Sequence, residues 1–347
     1  MELLRLETVD AFVVFDLDGV PHAAGGTRLA PDVSEREGAL LARAMTYKFA
    51  VLGRPIGGAK GLVRAHANER AVAMARFCQE IRPLVASRRF LTGPDLGTYE
   101  ADFAPLRTSE WEAHVLNSVV DGVAFEDVLT GFGVAAAADA AVGGLDGRAV
   151  AVEGFGKVGA GVAREFARRG GRVVAVSTLS GSVADPAGLD VDDLWEARAE
   201  YGDDLVAELG RPVLPRDALF ETESDVLVPG ARVGAVDGVR AARVAASAVV
   251  PAANVPYTAA GLQSLEQRGI AAHADFVCNA AAVVGYTSPA HASRAQVLDA
   301  VERTIVDLVL ASSDHPEGPF PGACAIAESY LRTWRPAGET PPGPPLA

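Results

Sequence analysis

Ala149-Val150-Ala151-Val152-Glu153-Gly154-Phe155-Gly156-Lys157-Val158-Gly159 is the stretch on which the reading of the fold depends. The apolar run Ala149 to Val152 reads as a buried strand, the G-x-G-x-x-G pattern as a tight turn, and the residues up to Arg168 as the helix it opens. A second apolar run, Val173 to Val176, follows at once. Glycines at these positions let a pyrophosphate approach the backbone and meet the unpaired N–H groups at the positive end of the helix. The spacing therefore predicts a dinucleotide-binding turn, with Gly154, Phe155, Gly156, Lys157, Val158 and Gly159 as cofactor contacts. Lys157 holds a variable position of the turn, and its plainer reading is an exposed helix start. The end of the second strand, Ser177-Thr178, is expected at the ribose. It carries neither the carboxylate that would grip a 2'-hydroxyl nor an adjacent arginine for a 2'-phosphate. Arg168 or Arg169 would have to reach across, so NAD and NADP both stay open.

Working outward, short apolar runs recur at Val226 to Val228, Ala246 to Val250 and Ile270 to His273, separated by helical stretches. Such alternation predicts a parallel sheet covered on both faces, an α/β fold of Rossmann type. At 347 residues the chain exceeds what one core serves, and a cleft between two domains is expected. The predicted dinucleotide-binding domain spans 129–310. The N-terminal α/β domain spans 1–128, with 311–335 packing back on it. The helix expected over Gln296 to Ser312 is read as returning to that first domain too. The tail 336–347, with five prolines and two glycines in twelve residues, is expected to be disordered.

Within the N-terminal half, Ala11 to Leu17 reads as a strand, Pro31 to Glu35 as a helix start, and Gly53-Arg54-Pro55 as its stop. Ile56-Gly57-Gly58-Ala59-Lys60-Gly61 reads as a glycine-dense loop, followed by a helix over Asn68 to Ile81.

Composition narrows the function classes. A net charge of -14 repels phosphate backbones and anionic lipid, so neither nucleic acid nor membrane is expected as a partner. No long uninterrupted apolar run and no export-type N-terminus is present, and a cytoplasmic location is expected. Cys78, Cys278 and Cys324 are odd in number and far apart, which argues for neither disulfides nor a metal site. Of 31 basic residues only Lys48, Lys60 and Lys157 are lysines. Arginine stays protonated, whereas burial can tune a lysine amine, so the retained lysines are candidates for chemistry.

Gly25-Gly26-Thr27-Arg28, Met45-Thr46-Tyr47-Lys48, Gly57-Gly58-Ala59-Lys60-Gly61 and Pro94-Asp95-Leu96-Gly97-Thr98 stand in that order before the dinucleotide-binding half. Over roughly residues 10 to 335 the chain resembles the glutamate, leucine, phenylalanine and valine dehydrogenase family. The intervals of 12 residues from Lys48 to Lys60 and 35 from Lys60 to Asp95 resemble the short-subunit leucine and phenylalanine enzymes. The resemblance implies NAD(P)-dependent oxidative deamination of an L-amino acid to a 2-oxo acid and ammonia, and the reverse, in a homo-oligomer of two or more subunits. It implies that the N-terminal domain binds substrate, carries catalysis and oligomerises, that Lys48 binds the α-carboxylate, and that Lys60 polarises the carbonyl or activates water. Asp95 would exchange protons with the amine. Thr130, in Thr130-Gly131-Phe132-Gly133, would touch the nicotinamide carboxamide, and Asn254 and Asn279 would line its pocket.

In glutamate dehydrogenases a lysine precedes the first Gly-Gly, and here that position is Ala24. Ala24, Gly25, Gly26, Gly93, Val283 and Tyr286 are expected at the substrate, a mostly small and apolar set that favours an apolar or aromatic side chain over glutamate. Two departures stand out. Ala281-Ala282 replaces the usual Gly-Gly after Asn279-Ala280, where two methyls could crowd the cofactor, and Pro251-Ala252-Ala253 leads into Asn254. They leave as alternatives a reductase of another imine or oxo acid in specialised biosynthesis and a catalytically silent cofactor-binding regulator.

Overall fold

A computed structural model describes residues 1–108, 114–120, 123–289, 291–336, 339 and 341–347. The chain divides into two compact units, one of Met1–Ala113 with Ile326–Pro345, the other of His114–Ala325 with Leu346–Ala347.

The first unit is built on a mixed six-stranded sheet. Its strands are β1 (Glu2–Arg5), β2 (Ala11–Phe15), β3 (Ala23–Ala24), β4 (Thr27–Leu29), β5 (Gly57–Val63) and β6 (Phe90–Leu91). They run in the order β1-β2-β5-β3-β6, with β4 also on β5. Helix α1 (Glu35–Val51) starts at Ser34, whose hydroxyl accepts from Glu37 N, and α2 covers Arg70–Ala86. The glycine-dense segment expected as a loop is instead the central strand β5, buried at every residue. Glycine is ordinarily depleted in strands, but here a helix must come very close. A Cβ at Gly58 would lie 1.9 Å from the Ala42 carbonyl oxygen of α1. Gly58 and Leu62 therefore meet α1, while Ala59 and Val63 join Phe77 and Ile81 of α2 in the apolar cluster on the other face.

The second unit carries a six-stranded sheet in the order β11-β10-β9-β12-β13-β14. Its strands are β9 (Ala149–Glu153), β10 (Arg172–Thr178), β11 (Gly181–Ala184), β12 (Ser224–Pro229), β13 (Ala246–Val249) and β14 (Ala271–Ala272). All neighbours are parallel except the β10–β11 hairpin. A separate small hairpin joins β7 (Val119–Val120) and β8 (Val123–Ala124). Helix α3 (Phe125–Val142) packs on α4 (Lys157–Arg168). At Gly131 a side chain would strike the backbone of Gly161 and Val162, so the two helices touch backbone to backbone.

The division falls at Ala113 and His114 rather than near 129, because α3 starts at Phe125 and packs throughout on the second unit. The helix α5 (Arg294–Ser313), expected to return to the first unit, also packs on α3. What belongs to the first unit is the last part of α6 (Pro319–Trp334). There Tyr47 donates to Glu328 at 2.9 Å and Tyr330 to the Gly53 carbonyl at 2.7 Å. Residues 341–347 form no regular element, yet Pro345 is buried and Arg43 donates to Pro342 O at 2.5 Å.

Candidate functional site

Lys60 projects from β5 and is only 3% exposed. Its Nζ lies 2.7 Å from Asp95 Oδ2, and Arg28 Nε on β4 reaches the same oxygen at 3.1 Å. Arg28 also pairs through Nη1 with Glu37, in the first turn of α1. Sequence reasoning quoted Arg28 within a motif but gave it no role. The loop bearing Asp95 is fixed by threonines: Asp95 N donates to Thr98 Oγ1 at 2.9 Å, and that hydroxyl donates to Thr27 O at 2.8 Å. Gly26 makes room for the pair, since a Cβ there would sit 2.9 Å from Asp95 Cβ and 3.4 Å from Lys60 Nζ.

Burial penalises the Lys60 ammonium and Arg28 adds to this; Asp95 and Glu37 oppose them without prevailing, so the amine loses its proton more readily than usual. Burial likewise penalises the Asp95 carboxylate, but here Lys60 and Arg28 outweigh it and hold the group well below the usual carboxylate range. The result is a buried, tunable amine against a firmly ionised acid, a set suited to moving a proton.

Lys48 is 5% exposed near the end of α1. The same helix is tied to β5 through Thr46, which donates to Asp16 Oδ2 at 2.6 Å and accepts from Gly58 N at 2.9 Å. Of the proposed side-chain pocket, Ala24, Gly26 and Gly93 are half-buried and Gly25 is buried, all in the first unit. Val283, buried, and Tyr286, half-buried, lie three residues apart on the short helix Ala281–Tyr286 of the second.

In the second unit the G-x-G-x-x-G turn has the form the sequence predicts. Gly154 has φ +82°, Gly156 has open space where a side chain would stand, and α4 begins with no side-chain cap on its N–H groups. A Cβ on Gly159 would lie 2.3 Å from Gly154 O, which seats the helix against the turn. Phe155 is buried, Val158 half-buried and Lys157 exposed at the first helical position. Ser177 secures the turn, accepting from Phe155 N through its carbonyl at 2.7 Å and from Gly154 N through its hydroxyl at 3.2 Å. Glu153 ties the turn to the next strand end, accepting from Gly230 N and Ala231 N at 3.1 and 2.9 Å. Its carboxyl is raised by burial against those hydrogen bonds.

Near the end of the second strand, Arg168 pairs with Glu165 within α4, while Arg169, just past the end of α4, pairs with Glu302 and Asp139. Arg198, from the helix Val191–Tyr201, donates to Phe155 O, Thr178 donates to Asp203 O at 2.5 Å, and Ser180 to Asp204 at 2.6 Å.

Asn254 and Asn279 are brought together. Asn279 Nδ2 donates to Asn254 Oδ1 and to Ala252 O, both at 3.0 Å, while its buried Oδ1 has no partner. A carboxamide N–H is what such an orphaned acceptor lacks, and with the turn it makes the residues fit a dinucleotide. The next residue, Val255, has φ +51° and is held by its N–H to Asp275 Oδ2 at 2.9 Å. Thr130 spends its hydroxyl proton on Glu126 O at 3.1 Å and keeps acceptor capacity. The buried Ala281 methyl faces Gly133 of α3, where an added Cβ would be 2.6 Å from it.

Comparison with known proteins agrees with this geometry. Residues 122–297 match the family model described as Glutamate/Leucine/Phenylalanine/Valine dehydrogenase, and residues 5–109 match the Glu/Leu/Phe/Val dehydrogenase, dimerisation domain. Glutamate dehydrogenase of Thermotoga maritima is 34% identical over 281 residues, 75% of this chain and 67% of the relative. Glutamate dehydrogenase A2 of Halobacterium salinarum is 31% identical over 311 residues, 80% and 71% respectively. Among solved structures, a hetero-hexameric glutamate dehydrogenase from Thermus thermophilus in a Leu-bound form has TM-score 0.77 at 29% identity, covering 93% of this chain and 83% of that one. An L-tryptophan dehydrogenase from Nostoc punctiforme shares the fold, with TM-score 0.64 at 21% identity over 96% and 95% of the two chains. These curated relatives carry glutamate dehydrogenase names, and a special nearness to the leucine and phenylalanine enzymes does not emerge. With both halves matched, the chain belongs to the glutamate, leucine, phenylalanine and valine dehydrogenase family, amino-acid dehydrogenases that use NAD or NADP.

Proposed function

We propose that this chain oxidises an L-amino acid with an apolar or aromatic side chain to its 2-oxo acid and ammonia, and runs the reverse amination. The observation that carries this reading is the buried Lys60–Asp95 pair with Arg28 behind it. The nicotinamide group of NAD or NADP supplies the acceptor for the substrate Cα hydride. Lys48 binds the α-carboxylate. Lys60, as the free amine, takes a proton from the water that adds to the imine carbon. The proton gained by Lys60 passes to the departing nitrogen by way of the Asp95 carboxylate, which rests ionised and carries it only in transit, so that amino acid, oxidised cofactor and water give 2-oxo acid, reduced cofactor, ammonium and a proton. Asn279, with Asn254 and Thr130, would hold the carboxamide of that cofactor, and the start of α4, which has no side-chain cap, would hold its pyrophosphate.

Ala24 supports the apolar reading, because a glutamate carboxylate would find no cation there, and an unpaired charge in a closed site is costly. A homo-oligomer formed through the first unit, and a cytoplasmic setting, belong to the same proposal; no helix among the described residues is long and apolar enough to cross a membrane.

The test is a panel of 2-oxo acids with NADH and NADPH, with and without ammonia. Ammonia-dependent cofactor oxidation with apolar oxo acids, exceeding that with 2-oxoglutarate, is expected; preference for 2-oxoglutarate overturns the substrate assignment. Lys60→Ala is expected to lower kcat on the order of 10²- to 10⁴-fold, and unchanged turnover would remove Lys60 from the mechanism.

A further inference from the structure

Four ionisable side chains from four parts of the first unit, acidic and basic in turn, form one chain of contacts: Glu37, Arg28, Asp95, Lys60. Arg28 is the link, since one guanidinium reaches both carboxylates, and it is only 12% exposed at its side chain. Glu37 is held where a carboxylate is favoured, in the first turn of α1 at the positive end of the helix. We propose that Arg28 and Glu37 are positioning residues of the reaction site: they hold Asp95 against Lys60 and, by their opposite charges, set the field in which the Lys60 amine works. The inference rests on the catalytic reading of Lys60 and Asp95 given above.

The geometry leaves the two positioning residues with opposite effects on one amine. Arg28 shares an oxygen of Asp95 with Lys60, so its positive charge disfavours the ammonium. Glu37 offsets that charge from the far side of the guanidinium and favours the ammonium. Other charged groups also stand on the elements packed around β5. Asp16 is engaged by Arg43 and Thr46, Lys48 lies in the last turn of α1, and the α2 face of the strand is apolar. A guanidinium suits position 28 because its planar fork presents donors to both acids in fixed directions, which the compact ammonium of a lysine does not.

The scarcity of lysine makes the test direct. Protein grown on lysine carrying carbon-13 at Cε gives one signal each for Lys48, Lys60 and Lys157, and the titration of Lys60 is followed by NMR on the intact chain. Glu37→Gln is expected to move the Lys60 midpoint to lower pH and Arg28→Met to higher pH, each by roughly half to one unit. Arg28→Lys, with charge kept, is expected to leave the midpoint in place and lower kcat. The rising limb of kcat/KM against pH is expected to follow the midpoints, and melting temperatures report folding. Glu37→Gln alone keeps the test alive if Arg28→Met does not fold. Midpoints that stay put, or move in the same direction, overturn the inference. Midpoints that part as expected while the rate profile stays fixed overturn instead the catalytic role of Lys60.

Discussion

At the scale of single residues, Gly133 and Ala281 behave as one steric unit. With Cβ atoms 2.6 Å apart if both carried methyls, Gly133→Ala is expected to cost on the order of 1–3 kcal/mol by overpacking. Adding Ala281→Gly should recover much of that loss, and a double-mutant cycle in urea that shows simple additivity would refute the pairing. The same pair shows why one part of the site was hidden in the sequence. Ala281 in place of glycine reads as crowding until its partner in α3 is known, and that partner is 148 positions away. The pairing of Lys60 with Asp95 was legible because lysine is rare in this chain and because the motifs around both residues are local. Arg28 and Glu37 were not, since arginine is the common cation here and carries no signal until a fold sets it between two acids.

At the scale of elements, the turn after Asn254 sets strain against packing. A β-branched residue in the left-handed region costs about 1–3 kcal/mol, whereas burying a valine is worth roughly 1.5–3 kcal/mol. Val255 is fully buried, so Val255→Gly should change stability by about 1 kcal/mol or less, while Val255→Ala loses most of the packing and keeps most of the strain. Denaturant unfolding that found Val255→Gly strongly stabilising would show that the buried methyls contribute little. The parallel strands of the second unit were readable from their apolar runs, and α4 ends at Arg168 as its periodicity indicated. β5 was misread because glycine density signals a loop locally, whereas the demand for glycine came from a helix lying across the strand. The small strands β3, β4 and β6 have at most three residues each, too few for any period to register.

At the scale of the whole molecule, acid should destabilise the chain through one imidazole. His273 is buried, its Nε2 has no partner, and burial lowers its proton affinity to a midpoint of about 4. Because the folded value lies below that of the unfolded chain, its contribution to stability is complete above about pH 6.5 and lost progressively as pH falls toward 4. The loss is on the order of 3 kcal/mol. Unfolding free energies at pH 7 and pH 4.5 should therefore differ less in His273→Leu than in the parent chain. An equal difference in both would assign the acid sensitivity elsewhere. The distribution of lysines has a practical result at this scale. With Lys48 and Lys60 buried, Lys157 is the lysine that an acylating reagent can reach on the folded chain, and it stands at the first position of α4, beside the turn from Gly154 to Gly156. Conjugation or surface immobilisation through side-chain amines would thus anchor the protein at that turn.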